Sequence, residues 1–141
     1  MRDQELVLRF LALLHEGKNY QPPMVTFLNT YMGKNKELSD KDTSAMSGEF
    51  RNVIDLVHES VGSRAFRPVR ALNAAVFDSV MVGTAKRLEQ GPVSEIQAFR
   101  NAYSALLNNQ DFLDACGRGT AGGERVRTRL GLATTAFHSV L

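Results

Sequence analysis

The chain has 141 residues, of which 43% are hydrophobic and 23% charged, and its formal net charge is +2. This composition is typical of one folded domain and excludes a disordered tail. A single cysteine, Cys116, cannot form an internal disulfide, and no cluster of Cys and His has the spacing of a zinc site. No apolar stretch reaches the roughly 20 residues of a membrane span, and none resembles a signal peptide. We therefore expect a cytoplasmic protein without a metal or other cofactor.

The net charge is the sum of two unlike halves. Residues 1–62 contain seven Lys or Arg and nine Asp or Glu, whereas residues 63–141 contain ten and six. Nine of the ten basic residues in the second half are arginines. Because guanidinium groups suit planar contacts with phosphate or carboxylate, this half favours an anionic partner.

The first two predicted elements are amphipathic helices, because apolar residues recur with a period near 3.6. The first helix is expected over Asp3–Glu16, with Gly17 ending it. A second helix is expected to begin at Pro23, which suits the first helical turn, and to end before Gly33. The polar residues 34–42 are predicted to form a loop.

Two longer helices are predicted next. Ser39 and Asp42 have the spacing of a capping arrangement for the third helix. Its expected buried residues are Met46, Phe50, Val53, Ile54 and Val57. After a loop over Gly62–Pro68, the most apolar helix is expected over about Val69–Leu88. Small residues that recur every four positions along it predict a close helix contact and a central position: Ala71, Ala75, Ser79 and Gly83.

The C-terminal part continues the helical pattern. Gly91-Pro92 predicts a turn, and Ser94 with Gln97 resembles a capping box for a helix that continues to Leu107. The remaining elements are a short helix over Asp111–Cys116, a loop over Gly117–Gly123 and a last helix over about Glu124–Val140. The sequence therefore predicts an all-α fold, with residues 1–141 forming a single-domain bundle of six or seven helices with short loops.

The glycine-rich loop matches the pattern G-x-G-x-x-G at Gly117, Gly119 and Gly122. A dinucleotide site needs a strand before this pattern and a helix after it. Here a helix is predicted before it, so we interpret the loop as a connector.

Arg51 and His58 lie seven residues apart on one face of the third predicted helix. Some all-helical ribonucleases use an Arg to hold a phosphate and a nearby His to move a proton. An Arg and a His on one solvated helix face are also common by chance. A helical ribonuclease using Arg51 and His58 is therefore a minor alternative, and no other catalytic residue is predicted.

Two groups of arginines are the candidate phosphate contacts. The first group follows the third helix, and the second lies in the glycine-rich loop and at the start of the last helix. The predicted nucleic-acid-binding residues are Arg64, Arg67, Arg70, Arg118, Arg125, Arg127 and Arg129. The alternative is a solvated face whose arginines pair with Asp111, Asp114 and Glu124.

Several segments resemble a large bacterial family that includes the N-terminal domain of GmrSD-type, modification-dependent restriction enzymes. The N-terminal matches are Met1–Leu13, Tyr20, Pro23-Met24 and Phe27–Met32. Further matches follow in the family's order: Ala65–Arg67, Asn73–Asp78, Gly119-Thr120, Glu124–Val126 and Arg129. The matches are spread over most of the chain, and residues 34–48 and 89–97 match no part of the family.

The resemblance implies a part of a larger protein. Members are similar in opening with a ParB-like region that carries an Asp-Gly-Gln-Gln-Arg motif associated with nuclease or nucleotide hydrolysis activity. That motif is missing here, so no catalytic residue can be transferred and the chain resembles the helical C-terminal region alone. We therefore expect a non-catalytic portion of a restriction or anti-phage defence protein. Its expected partners are DNA, a ParB-like domain or upstream gene product, or a second copy in a homodimer. The other alternative is a helical protein-interaction module without nucleic-acid binding.

Overall fold

The structure, a computed structural model, describes residues 2–67 and 71–141. These ranges contain seven α-helices and one short 3-10 turn over Gly17–Asn19, and no strand. The helices are α1 (Arg2–Glu16), α2 (Met24–Lys34), α3 (Asp40–Val61), α4 (Ala74–Leu88), α5 (Ile96–Leu107), α6 (Gln110–Ala115) and α7 (Gly123–His138). The prediction of an all-α bundle of six or seven helices is confirmed.

Helix α4 occupies the centre of the bundle, as its row of small residues predicts. It packs most extensively against α7 and also contacts α1 and α3, and nearly all of its residues are buried. At Gly83, an added Cβ would lie 2.8 Å from the carbonyl carbon of Ala133 in α7. Close-packed interiors leave no room for such a contact. The hydrogen side chain of Gly83 is therefore what lets α7 approach α4 here.

The predicted ends of α1 and α2 agree with the structure within two residues, whereas the loop predicted over residues 34–42 covers only residues 35–39. One difference is that α2 continues through Gly33 and ends before Asn35, whose side-chain amide donates to the carbonyl oxygen of Tyr31 at 2.8 Å. The expected cap of α3 is confirmed, because the Ser39 hydroxyl accepts the N–H of Asp42 at 3.1 Å.

The fourth helix is predicted to begin near Val69, which lies outside the described residues, but residues 71–73 are not helical. Helix α4 begins at Ala74, and its N-cap is Asn73. The Asn73 side-chain oxygen accepts the backbone N–H groups of Ala75 at 2.9 Å and Val76 at 3.0 Å. Asparagine is a favoured N-cap because this bonding satisfies donors that have no partner within the helix.

The predicted capping box of Ser94 and Gln97 is also wrong. Helix α5 begins at Ile96 without a side-chain cap. Instead, the backbone oxygen of Leu141 accepts the N–H groups of Ser94 at 3.1 Å and Glu95 at 2.8 Å. The C-terminal segment therefore satisfies donors at the start of α5 that the sequence assigns to a local side chain.

Candidate nucleic-acid interface

The first arginine loop, residues 62–67, follows α3 and carries Arg64 and Arg67, which are both exposed. Gly62 ends the helix at φ 89°, a conformation that glycine adopts without strain. From α5, the Tyr103 hydroxyl donates to the carbonyl oxygen of Ala65 at 2.5 Å. These contacts hold the backbone that carries the two arginines. The third predicted member of this group, Arg70, lies outside the described residues.

The second arginine loop, residues 117–122, joins α6 to α7 and carries the exposed Arg118. Two side chains from the interior bind its backbone. The Tyr20 hydroxyl donates to the carbonyl oxygen of Ala121 at 2.5 Å, and the Arg129 guanidinium donates to that of Thr120 at 2.5 Å. A helix precedes this glycine-rich loop, so the context of a dinucleotide site is missing.

Arg125 and Arg127 lie in the first two turns of α7 and are exposed. The Arg125 guanidinium donates to the backbone oxygen of Asp114 and packs beside Gly119. Arg127 lies beside Gly123 at the start of the same helix. Within the described ranges, no ion pair joins these arginines to the three neighbouring carboxylates of Asp111, Asp114 and Glu124. Asp111, Asp114 and Glu124 nevertheless line one hollow together with Arg125, so their negative charges lie near that arginine.

Arg129, predicted to contact phosphate, is completely buried. It belongs to the inner face of α7, together with Val126, Ala133 and Phe137. Besides the bond to Thr120, its guanidinium lies 3.4 Å from the carboxylate of Asp78. A side chain held inside the bundle cannot reach a nucleic-acid backbone, so Arg129 leaves the set of candidate contacts.

Asp78 is the centre of a buried ionic cluster that the sequence analysis missed. Its carboxylate accepts the Nε and Nη2 groups of Arg9 at 3.1 and 2.5 Å, in addition to the Arg129 contact. Complete burial raises the pKa of Asp78, whereas Arg9 and Arg129 act in the opposite direction. Burial also lowers the pKa of Arg129, whose Nε has no hydrogen-bond partner among the described residues. The cluster connects α1, α4 and α7. It also fixes the Arg129 guanidinium, which donates to Thr120 in the second arginine loop.

Asn73 binds the first arginine loop and the residue directly before the second. Its backbone N–H donates to the carbonyl oxygen of Phe66 at 2.8 Å, and its side-chain amide donates to that of Cys116 at 3.2 Å. Phe66 lies in the first loop, and Cys116 directly precedes the second. The two arginine loops, which are distant in sequence, are therefore both attached at the N-terminal end of α4.

Arg51 and His58 are both exposed on α3, but the structure places them in different hollows. Arg51 lines a groove between α1 and α3, whereas His58 lines a hollow with Asp55, Glu59 and Phe66. Their Cα atoms lie about 10 Å apart along the helix axis, as seven residues at 1.5 Å each require. This arrangement adds no support to the ribonuclease alternative.

The other two histidines form hydrogen bonds within the protein, and the cysteine is buried. His15 lies 2.6 Å from the Tyr31 hydroxyl and 3.0 Å from a Glu49 carboxylate oxygen, and His138 contacts Gln90. Burial raises the pKa of the Cys116 thiol to about 11, so it is not an activated nucleophile. In the part of the chain that the structure describes, no group of three or more potential ligands could hold a metal ion. None of the described helices has both the length and the apolar character needed to cross a membrane.

No known protein family, curated protein or solved structure matches the chain in sequence or structure comparisons.

Proposed function

We propose that this chain is the non-catalytic helical portion of a restriction or anti-phage defence-type DNA-processing protein. In this proposal it contacts DNA phosphate and supports a ParB-like nuclease or nucleotide hydrolase domain in the cytoplasm. The candidate contacts are Arg64, Arg67, Arg118, Arg125 and Arg127. The observation that carries the DNA contact is that the loops with the exposed Arg64, Arg67 and Arg118 are both attached at one end of α4. Arg125 and Arg127 are exposed at the start of α7, directly after the second loop.

The attachment of the loops supports phosphate binding. A flexible loop loses conformational freedom when it binds, and this loss reduces affinity. Here the side chains of Tyr20 and Arg129 already hold the second arginine loop, and that of Tyr103 holds the first. The guanidinium groups therefore extend from backbone that is ordered before DNA arrives.

The charge distribution supports the same surface. The arginines belong to the half of the chain with ten basic and six acidic residues, whereas the first half is acidic. Phosphate contacts release counterions, so the affinity of such a surface falls steeply with salt. Salt dependence therefore separates this proposal from binding through apolar or neutral groups.

The ionisable side chains of the interior support a non-catalytic role. Asp78 is held between two arginines in the interior, His15 bonds to Tyr31 and Glu49, and Cys116 is buried. These groups have structural partners rather than an open site. The proposal therefore assigns chemistry to the ParB-like domain, as the resemblance implies.

Charge reversal tests the DNA contact. We expect the wild-type protein to bind a 20-base-pair duplex in fluorescence anisotropy at 50 mM salt and to release it at higher salt. Combining Arg118→Glu with Arg127→Glu should reduce the slope of log affinity against log salt by about 2, because each lost phosphate contact contributes roughly 0.9. The matched control combines Lys36→Glu with Lys41→Glu, an equal charge change on exposed residues of the acidic half.

The control should lose less affinity and keep its salt slope. Equal losses in both variants would show that only net charge matters. A wild-type protein that binds no duplex at 50 mM salt would exclude the DNA contact.

A protein-interaction module is the second candidate function, because the structure leaves an apolar groove open. The groove lies between α1 and α3 and has a volume of about 540 Å³. Its apolar lining residues are Val7, Leu11, Leu38, Met46, Phe50 and Ile54. Exposed apolar surface of this kind is typical of protein contacts. The occupant we expect is the ParB-like domain.

Size-exclusion chromatography with light scattering tests this candidate. A ParB-like domain from the upstream reading frame should form a complex with the wild-type chain and lose it with Phe50→Glu. A monomer under all conditions would exclude it, and a dimer of the chain alone would assign the groove to a second copy instead.

A further inference from the structure

The side chain and backbone of Asn73 connect three segments of the chain. Its side-chain oxygen caps α4, its backbone N–H binds Phe66, and its side-chain NH₂ binds the backbone oxygen of Cys116. Asn73 itself is half-buried and carries no charge. Its side-chain oxygen and its NH₂ group both bind backbone, so we expect it to influence phosphate binding through the segments that it connects.

We infer that Asn73 is a positioning residue that joins the two arginine loops into one phosphate-binding surface. This inference rests on the proposed DNA contact. The backbone bond to Phe66 fixes the residue before Arg67, and the side-chain bond to Cys116 fixes a residue two positions before Arg118. Both bonds start from the same residue at the end of the central helix, so the separation of the loops is set by the rigid start of α4.

A fixed separation matters because one DNA duplex must contact both loops. If the loops moved independently, binding by the second loop would carry its own ordering cost. When the first contact already places the second loop at the phosphates, the second contact becomes intramolecular and adds to the affinity. Tyr20 and Arg129 hold the second loop to the interior, and the NH₂ group of Asn73 ties the residue directly before that loop to the start of α4.

The chemistry of asparagine allows the connection to be removed without removing the helix cap. Asn73→Asp keeps an acceptor for the N–H groups of Ala75 and Val76 but loses the donor to Cys116. Asn73→Ser also keeps a favoured N-cap residue and adds no negative charge. An effect shared by both variants therefore arises from the lost donor and not from the charge of aspartate.

Asn109 supplies a matched control. It is the N-cap of α6, where its side-chain oxygen accepts the N–H of Phe112 at 3.0 Å. Among the described residues, the side-chain NH₂ group of Asn109 makes no hydrogen bond, whereas that of Asn73 binds Cys116. Asn109→Asp is therefore the same substitution at the same kind of position, without a loss of contact between the loops.

The test measures duplex affinity against salt for the wild type and these three variants, with helix content and thermal midpoint checked by circular dichroism. We expect Asn73→Asp and Asn73→Ser to weaken binding by about three- to tenfold, the effect of one net hydrogen bond on an equilibrium. Their salt slopes should fall, because fewer phosphates are contacted together. Asn109→Asp should match the wild type in both quantities.

A double-mutant cycle of Arg64→Gln and Arg118→Gln gives a readout that a purely structural role would not change. In the wild-type background, the two losses of binding free energy should be non-additive, because the loops bind as one unit. In the Asn73→Ser background they should become additive. Wild-type affinity and slope in both Asn73 variants would overturn the inference while leaving the DNA contact intact. Failure of the wild type to bind duplex overturns both.

Discussion

Arg129 in α7 faces Asp78 in α4 across the centre of the bundle, with 3.4 Å between Nη2 and Oδ2 and both side chains fully buried. Asp78→Leu would leave the Arg129 guanidinium in the interior without its counter-charge. Breaking a buried ion pair in this way costs about 3–5 kcal/mol. We therefore expect the free energy of unfolding of Asp78→Leu, measured by urea titration with circular dichroism, to be lower than that of the wild type by about 3–5 kcal/mol.

Combining Asp78→Leu with Arg129→Met should restore part of the lost stability. The double variant replaces the buried pair with apolar side chains, an exchange that is often neutral or stabilising. Arg9 keeps access to solvent because its side chain is 12% exposed. If the loss of stability in the double variant equals the sum of the losses in Asp78→Leu and Arg129→Met, the two residues do not interact energetically.

The prediction that Arg129 contacts phosphate treats charge as a sign of exposure. The helical pattern carried the opposite information, because Arg129 is spaced three residues from Val126 and four from Ala133, and both are buried. The apolar helix α4 gave a second signal, since Asp78 in its middle requires a buried partner. Periodicity thus identified the inner faces of the helices, whereas the partner of each charged residue depended on packing.

Gly83 in α4 is expected to tolerate no side chain. An alanine Cβ would lie 2.8 Å from the carbonyl carbon of Ala133, so α7 would have to move away from α4. Overpacking of this kind costs about 1–3 kcal/mol, which outweighs the gain of roughly 1 kcal/mol in helix propensity. We expect Gly83→Ala to lower the thermal midpoint.

Gly131 in α7 is the matched control for Gly83, because an added Cβ there meets nothing within 4 Å. Gly131→Ala should therefore gain about 0.5–1 kcal/mol from helix propensity alone. Equal thermal shifts in the two variants would show that the contact between Gly83 and Ala133 does not limit the helix spacing.

The bonds that hold the arginine loops could not be predicted from local pattern. Tyr20 and Ala121, which share one of these bonds, are separated by 101 positions in the sequence. Similarly, the start of α5 bonds to Leu141, although Ser94 and Gln97 have the spacing of a local cap. A capping pattern states which bonds a segment can make alone, but a distant backbone oxygen can replace them when packing brings it nearer.

His15 connects three helices through Tyr31 in α2 and Glu49 in α3. His15→Ala would leave the hydroxyl of Tyr31, a residue that is only 5% exposed, without this partner. An unsatisfied buried polar group costs about 1–3 kcal/mol, so the free energy of unfolding should fall by that amount. The control His138→Ala, at an exposed position, should change it by less than about 0.5 kcal/mol. Similar effects of both variants in urea titrations would contradict the assigned role of His15.

The burial of Cys116 should make the free energy of unfolding depend on pH above pH 9. Burial raises the pKa of its thiol to about 11 in the folded protein, from an ordinary value of 9.0. The unfolded thiol therefore ionises first, so the stability that Cys116 contributes is complete below pH 9 and is lost as the pH rises to 11. Two pKa units correspond to about 2–3 kcal/mol.

Cys116→Ala isolates this contribution from that of the tyrosines, since burial also raises the pKa of Tyr20, Tyr31 and Tyr103. The difference in free energy of unfolding between wild type and Cys116→Ala should be constant below pH 9 and should shrink between pH 9 and 11. Urea titrations at four pH values in this range measure it. A difference that stays constant to pH 11 would mean that the folded thiol ionises as readily as the unfolded one, and that the interior beside Arg129 admits a thiolate.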